Sequence, residues 1–156
     1  MTELETTIEP APVAKGAAIL CVDDDPRVLS ALDRALRREP YEVLRAGGGE
    51  EALDLLERVP VKVLVTDERM PEMSGSVLLA TVAKRWPLMG RIILTGYPGL
   101  DLMIRSLEVG TDFLMIKPWD DELLRRTIRR LIQEVDKLTA YAAGHPPEPG
   151  IDAGGE

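Results

Sequence analysis

The chain has 156 residues, of which 45% are hydrophobic and 29% charged, so it has room for one domain with a sizeable core. Its net charge of −8 counts against nucleic-acid binding, and its single cysteine excludes an internal disulfide or a cysteine-based metal cluster. Its single histidine counts against a histidine zinc site and a Ser-His-Asp triad. No apolar run is long enough to span a bilayer, and the acidic start is unlike a signal peptide, so we predict a soluble, cytoplasmic protein.

Both ends of the chain differ in composition from its middle. Residues 1–16 hold three glutamates, one lysine and two prolines, and residues 141–156 hold three acidic residues without any lysine or arginine. The second segment is also rich in proline and glycine, a composition that cannot build a core. The sequence therefore predicts a flexible acidic tail over 1–16, a folded domain over 17–140 and a disordered tail over 141–156.

The first half of the folded domain predicts three strands, each followed by a helix. The strands cover residues 17–22, 41–45 and 61–66. The middle one alternates in polarity, which is typical of an outer strand, whereas the others are almost wholly apolar. The helices begin at Pro26, after the glycines at 47–49, and at the N-cap Ser74, the last of them ending near Arg85.

The second half continues the same alternation with two more strands and two more helices. The strands cover residues 91–95 and Phe113–Ile116, and the helices cover 100–109 and about 120–140. Strands that alternate with helices form βαβ units, whose right-handed crossovers give a parallel sheet with helices on both faces. We therefore predict a doubly wound α/β domain, whose ligand lies beyond the carboxyl ends of its strands.

Polar residues follow four of the five predicted strands. They are Asp23, Asp24 and Asp25 after the first strand, Asp67 after the third, Thr95 at the end of the fourth and Lys117 after the fifth. One acid of the first group is expected to cap the first helix, and Asp25 is the best placed for it. The remaining carboxylates repel one another and a single lysine offsets only one of them, so a divalent cation with oxygen ligands, Mg²⁺ or Mn²⁺, is expected there.

Four segments at these strand ends resemble the motifs of bacterial response-regulator receiver domains. They are VDDDP from Val22, DERMPEMSG from Asp67, ILTG from Ile93 and the pair Lys117-Pro118. Their order and spacing match the family over residues 17–140. The resemblance implies a flavodoxin-like fold with strand order 2-1-3-4-5 and a phosphoryl group carried on Asp67.

The resemblance also implies a role for each neighbour of Asp67. The implied Mg²⁺ ligands are Asp23, Asp24, Asp67 and the backbone carbonyl of Arg69. Thr95 would donate its hydroxyl to a phosphoryl oxygen, and Lys117 would form an ion pair with the phosphoryl group. A carboxylate attacks phosphorus only when such positive groups stabilise the transferring oxygens, so the chemistry agrees with these roles.

The strand before Lys117 departs from the family pattern. Family members usually place a switch aromatic three residues before the lysine, where this chain has Leu114, and Phe113 stands one residue earlier. Either the strand register shifts by one residue, or the switch between threonine and aromatic is altered. Phe113 could equally be an ordinary core residue.

Arg69 and Tyr97 each lie two positions beyond a site residue, Asp67 and Thr95 respectively. In the family these positions flank the phosphoryl group and influence its hydrolysis. Since both side chains are bulky and could screen the attacking water, we hypothesise a long-lived phosphoryl state.

Apolar residues in the last helix follow a heptad spacing: Leu124, Ile128, Leu131, Val135 and Leu138. This face is expected to pack on the sheet, as the last helix of the fold must. Alternatively, the turns from Val135 onward leave the domain and pair with another subunit. The resemblance implies that a homodimer, if one forms, uses the fourth and fifth helices.

Three functions remain open from the sequence. The first is a signalling domain, not an enzyme, that takes a phosphoryl group from a histidine kinase or phosphotransfer protein and signals through the face of helix 4, strand 5 and helix 5. The second is a dehalogenase-type phosphotransferase, which would need a second aspartate where Arg69 stands. The third is a receiver-like module that no longer cycles phosphate, and the intact set of site residues counts against it.

The output of a signalling domain of this kind is also left open by the sequence. Either the chain is a stand-alone receiver, or it is the receiver part of a longer regulator. The segments around Thr95 and Lys117 are similar to receivers that precede cyclic-dinucleotide phosphodiesterase domains.

Overall fold

The computed structural model describes residues 17–144, in which five strands and five helices alternate. The strands are β1 (Ala18–Val22), β2 (Glu42–Ala46), β3 (Val63–Thr66), β4 (Gly90–Thr95) and β5 (Phe113–Ile116). The helices are α1 (Pro26–Leu36), α2 (Gly49–Arg58), α3 (Gly75–Arg85), α4 (Leu100–Glu108) and α5 (Asp121–Ala142). All strands are parallel, in the order β2-β1-β3-β4-β5. The predicted fold class and strand order are confirmed.

Helices cover both faces of this sheet. One core cluster joins the sheet to α1 and α5, and a second joins it to α2, α3 and α4. Every residue of β1 and of β3 is buried. This explains why these strands do not alternate between apolar and polar residues, as a strand with one solvent-exposed face does. β2 is an edge strand with exposed positions, as its alternating sequence predicts.

Side-chain caps fix where three of the helices begin. The carboxylate of Asp25 accepts a hydrogen bond from Arg27 N, which confirms Asp25 as the cap of α1. The hydroxyl of Ser74 accepts one from Val77 N, and α3 ends at Arg85 as predicted. Asp120 caps α5 in the same way. Since Asp25 is occupied in capping, Asp23 and Asp24 are the acids left for another task.

Helix α5 packs on the sheet along the predicted apolar face. Leu124, Ile128, Leu131 and Val135 are buried. The helix does not leave the domain at Val135, which is only 7% exposed, while pairing of its later turns with another subunit stays a prediction. Leu138 is 49% exposed, so the apolar face of α5 becomes exposed to solvent about one turn after Val135.

The register of β5 settles where Phe113 and Leu114 lie. Leu114 pairs with Ile93 and packs in the core cluster on the α4 face, and Ile116 pairs with Thr95. Leu114, three residues before Lys117, therefore lies on the α4 side of the sheet. Phe113 lies on the opposite face of an edge strand and is 39% exposed, so its interpretation as a core residue is wrong.

The predicted tail over 1–16 lies outside the described residues, as does the part of the predicted tail over 141–156 that follows residue 144. The boundary of the folded domain at residue 140 stays a prediction, while α5 continues to Ala142. Within residues 17–144, no helix combines the length and apolarity needed to cross a membrane.

Candidate functional site

Three carboxylates meet at the carboxyl edge of the sheet, as the sequence predicts. Asp23 and Asp24 follow β1 and Asp67 follows the neighbouring strand β3. One oxygen of each carboxylate lies within 4.8 Å of the others. Asp23 is 3% exposed and Asp67 is 8% exposed, whereas Asp24 faces solvent. This set of oxygen donors, open on one side, suits a hard divalent cation that keeps some of its waters.

Lys117 brings a positive charge from β5 to the two buried carboxylates. Its Nζ lies 2.8 Å from Asp23 Oδ2 and 3.6 Å from Asp67 Oδ2. Its backbone N donates to the carbonyl of Thr95, so the ladder between β4 and β5 sets the starting position of its side chain. Lys117 therefore forms a hydrogen-bonded ion pair with Asp23, whereas its ion pair with Asp67 Oδ2 is longer.

The carboxylate of Asp67 lies in a partly desolvated position. Burial raises its pKa above the ordinary value, Lys117 lowers it, and the nearby charge of Asp23 raises it again. Its Oδ1 accepts a hydrogen bond from Glu68 N at 2.8 Å, which also favours the ionised form. The net shift of the Asp67 pKa is upward because burial is the largest of these influences.

Thr95 ends β4 at the same edge of the sheet and is fully buried. Its Oγ1 accepts a hydrogen bond from Tyr97 N at 3.2 Å. The hydroxyl therefore keeps its own proton for a further acceptor.

Gly75 packs directly against the backbone of Asp67. Its N donates to the carbonyl of Glu68 at 3.0 Å, and a Cβ at this position would lie 2.1 Å from the carbonyl oxygen of Asp67. That same oxygen accepts a hydrogen bond from the Thr66 hydroxyl at 2.9 Å. The loop between β3 and α3 is thus closed tightly behind the Asp67 side chain.

Arg69 and Tyr97 form a stacked pair beside the site. The guanidinium carbon of Arg69 lies 4.3 Å from the centroid of the Tyr97 ring. Both side chains are exposed and line an open groove of about 580 Å³ between the β3–α3 loop and α4. The sequence places the two residues near the site, but it does not indicate that they contact each other.

Glu68 is a buried acid that the sequence analysis did not single out. It is 7% exposed, and its carboxylate accepts hydrogen bonds from Ser76 N, Ser76 Oγ and Arg105 Nη2 at 2.7, 2.9 and 3.2 Å. A charged residue directly after a buried strand is the only local signal for such a role. Its partner Arg105 lies 37 residues away, and the sequence does not indicate that pairing.

The sheet order and the acidic cluster define a doubly wound domain with a group of carboxylates at its switch point. Comparison with protein families matches residues 19–129 to the response regulator receiver domain, and the chain belongs to that family. Its resemblance to the family, noted from four short motifs, is therefore confirmed.

Curated relatives share the domain but are much longer than this chain. The hydrogenase transcriptional regulatory protein HoxA of Cupriavidus necator is 38% identical over 76% of this chain and 25% of its own length. The transcriptional regulatory protein GlrR of Escherichia coli is 35% identical over 77% of this chain and 27% of its own. The chain thus spans about a quarter of the length of these relatives.

Solved structures match almost over their whole length. A receiver domain protein (CheY-like) from Methanospirillum hungatei JF-1 has a TM-score of 0.75 and 33% identity, and the match covers 78% of this chain and 98% of that one. The signal receiver domain of an HD domain-containing protein from Pseudomonas fluorescens Pf-5 has a TM-score of 0.75 and 31% identity, covering 77% and 97%. The fold is that of an entire receiver domain.

Proposed function

We propose that this protein is a phosphorylation-controlled signalling domain, with Asp67 as its phosphoacceptor and Mg²⁺ as its metal. The observation that carries the proposal is the assembly of Asp23, Asp24 and Asp67 within 4.8 Å, with Lys117 Nζ 3.6 Å from Asp67. The proposed metal ligands are these three carboxylates and the backbone carbonyl of Arg69, and Mn²⁺ could substitute for Mg²⁺. When bound, the cation neutralises charge on the carboxylates and on the transferring phosphoryl oxygens.

In the proposed reaction an oxygen of Asp67 attacks the phosphorus of a phosphohistidine. A phosphorus–oxygen bond forms, the phosphorus–nitrogen bond breaks, and the histidine of the donor keeps the electron pair. Asp67 Oδ2 is the attacking oxygen that we favour, since Oδ1 accepts the hydrogen bond from Glu68 N. The ammonium of Lys117 then forms an ion pair with the phosphoryl oxygens, and the Thr95 hydroxyl donates a hydrogen bond to one of them.

The alternative of a dehalogenase-type phosphotransferase is less well supported. Such an enzyme would need a carboxylate two residues after the nucleophile, and Arg69 stands there with its guanidinium stacked on Tyr97. A module that no longer cycles phosphate is also less well supported, because the acidic cluster and Lys117 are assembled together. We therefore propose a signalling role without turnover of an external substrate.

The proposed metal dependence predicts a result for Asp24, the exposed acid of the cluster. Phosphorylation by acetyl phosphate should require Mg²⁺ or Mn²⁺ and stop in EDTA, and Asp24→Asn should raise the Mg²⁺ concentration for half-maximal rate by about tenfold or more, because a charged ligand is lost. Intact mass against Mg²⁺ concentration gives this value. Glu50→Gln is the matched control, since Glu50 lines the pocket next to Asp24 without belonging to the cluster. An unchanged requirement in Asp24→Asn would contradict the ligand assignment.

The stacked pair of Arg69 and Tyr97 predicts slow loss of the phosphoryl group. Together the two side chains can screen a water that approaches the phosphorus, so Arg69→Asn and Tyr97→Ala should each accelerate decay, by about threefold or more. Because the pair screens as one unit, the double variant should decay little faster than either single variant. The half-life of the mass adduct after removal of the donor measures this. Decay at the wild-type rate in both variants would contradict the screening of the phosphoryl group by this pair.

The proposed partners are a histidine kinase or phosphotransfer protein and, through α4 and α5, a second copy of the chain. Exposed apolar residues of α4, β5 and α5 include Leu100, Met103, Ile104, Leu107, Ile116 and Leu123. Sedimentation of the phosphorylated and unmodified samples would report dimer formation.

The proposed signalling domain acts in the cytoplasm and does not bind nucleic acid directly. It is either a stand-alone receiver or the receiver part of a longer regulator, as in the relatives named as transcriptional regulatory proteins.

A further inference from the structure

Helix α4 contacts the rest of the domain through a narrow strip. Of its nine residues only Leu102 and Ser106 are buried. Four apolar side chains of the helix are exposed instead: Leu100, Met103, Ile104 and Leu107. An element with so few buried contacts opens or shifts at a low free-energy cost. Each remaining bond between α4 and the domain is therefore a large part of what fixes its position.

One such bond leads to the residue that follows Asp67. Arg105 Nη2 donates to Glu68 Oε2 at 3.2 Å. Among residues 17–144 this is the one side-chain hydrogen bond that joins α4 to another element. The Arg105 side chain is 48% exposed, whereas Glu68 is buried, so the acid is the fixed partner and the arginine is the adaptable one.

Glu68 is fixed by bonds on two further sides. Ser76, in the first turn of α3, donates its backbone N to Glu68 Oε1 at 2.7 Å and its hydroxyl to Oε2 at 2.9 Å. The helix terminus itself favours an anion at this position. The backbone N of Glu68 donates to Asp67 Oδ1 at 2.8 Å. One residue therefore joins the carboxylate of Asp67 to α3 and to α4.

We propose that Glu68 is a positioning residue that couples the state of Asp67 to helix α4 through Arg105. The inference rests on the proposed function, because a phosphoryl group on Asp67 is the change to be transmitted. Phosphorylation converts the carboxylate, with its charge of −1, into an acyl phosphate whose phosphoryl group carries about −1.5 to −2, so the net change is about −0.5 to −1. The acceptor of the Glu68 N–H thereby changes from a carboxylate oxygen to an acyl phosphate oxygen, and the resulting displacement of Glu68 reaches α4 through the bond between Glu68 and Arg105.

Amide exchange in α4, measured before and after phosphorylation, tests this coupling. The protein is phosphorylated with acetyl phosphate and Mg²⁺, and exchange is followed over residues 100–108. In the wild type, phosphorylation should change the exchange rate by at least threefold. In Arg105→Gln the adduct on Asp67 should still form, while the change in exchange falls to less than twofold. Arg105→Lys keeps the charge and should restore most of the response.

Two further variants separate coupling from a merely structural effect. Arg38→Gln makes the same substitution at an exposed arginine remote from α4, and it should keep the full wild-type response. Glu68→Gln keeps one acceptor oxygen for Ser76 N and places an amide donor beside the Ser76 hydroxyl, which can also accept. It loses the charge that faces Arg105, so it should lose the response as Arg105→Gln does. The double variant of Glu68→Gln and Arg105→Gln should then lose no more of the α4 exchange response than either single variant.

The outcomes distinguish the inference from the proposed function. A full adduct with a wild-type response of α4 in Arg105→Gln would overturn the inference alone. A full adduct without any response of α4 in the wild type would also overturn it. Failure of the wild type to form an adduct would overturn the proposed function, and the coupling with it.

Discussion

Lys117→Met is expected to slow the phosphorylation of Asp67 by acetyl phosphate by about 10² to 10³-fold, the usual cost of removing one group that stabilises charge in a transition state. The ammonium lies 3.6 Å from Asp67 Oδ2 and is the cation that the described part of the chain brings to the buried carboxylates. Its removal also takes away an influence that lowers the pKa of Asp67. The pKa of Asp67 should therefore rise further in the variant, so its rate should approach the plateau at a higher pH than that of the wild type.

The rate of adduct formation, measured by intact mass at several pH values with saturating Mg²⁺, checks this prediction. Lys62→Met is the matched control, because Lys62 also pairs with an aspartate, Asp136, but on α5 away from the site. It should phosphorylate at the wild-type rate. A rate for Lys117→Met within a few-fold of the wild type would show that the lysine only holds Asp23 in place.

Gly75→Ala is expected to disturb both the stability and the reactivity of the domain. The added Cβ would lie 2.1 Å from the Asp67 carbonyl oxygen, and this neighbour is backbone that cannot rotate aside. The β3–α3 loop must therefore shift, which should cost about 1–3 kcal/mol of unfolding free energy. Because the displaced residue carries the reacting carboxylate, the phosphorylation rate should fall by up to about 10²-fold.

Urea unfolding and adduct formation, measured on the same preparation, separate the two effects. Gly99→Ala is the control, since a Cβ there would meet no atom within 4 Å and the backbone φ of −150° suits any residue. It should cost at most about 1 kcal/mol through the weaker N-cap and leave the phosphorylation rate unchanged. Equal behaviour of the two variants would contradict the close approach at Gly75.

Several features of the fold could be predicted because they depend on neighbouring residues or on strand order. Asp25 and Ser74 cap helices through bonds to residues two and three positions away, which the local sequence indicates. The contact between Lys117 and Asp23 joins residues 94 positions apart. The sequence predicts that both residues lie at one edge of the sheet, since parallel strands place their carboxyl ends together, but it does not predict this particular ion pair.

Other features depend on contacts that no local pattern indicates. Spacing alone left two registers open for β5, and only its pairing with β4 shows that Leu114 faces the core on the α4 side while Phe113 lies exposed. The stack of Arg69 on Tyr97 and the ion pair of Glu68 with Arg105 both require the relative placement of two loops or helices. Side-chain pairing of this kind is set by packing geometry and not by residue type.

The most direct test of the central claim is the intact mass of the protein after incubation with acetyl phosphate and Mg²⁺, for the wild type and for Asp67→Asn. The proposed function predicts one phosphoryl adduct, an increase of about 80 Da, on the wild type and none on Asp67→Asn, since phosphorylation needs the carboxylate oxygen as nucleophile. The Asp25→Asn variant, which alters an acid engaged in capping α1, should still form the adduct. An adduct of equal yield on Asp67→Asn, or none on the wild type with either Mg²⁺ or Mn²⁺, would contradict the account.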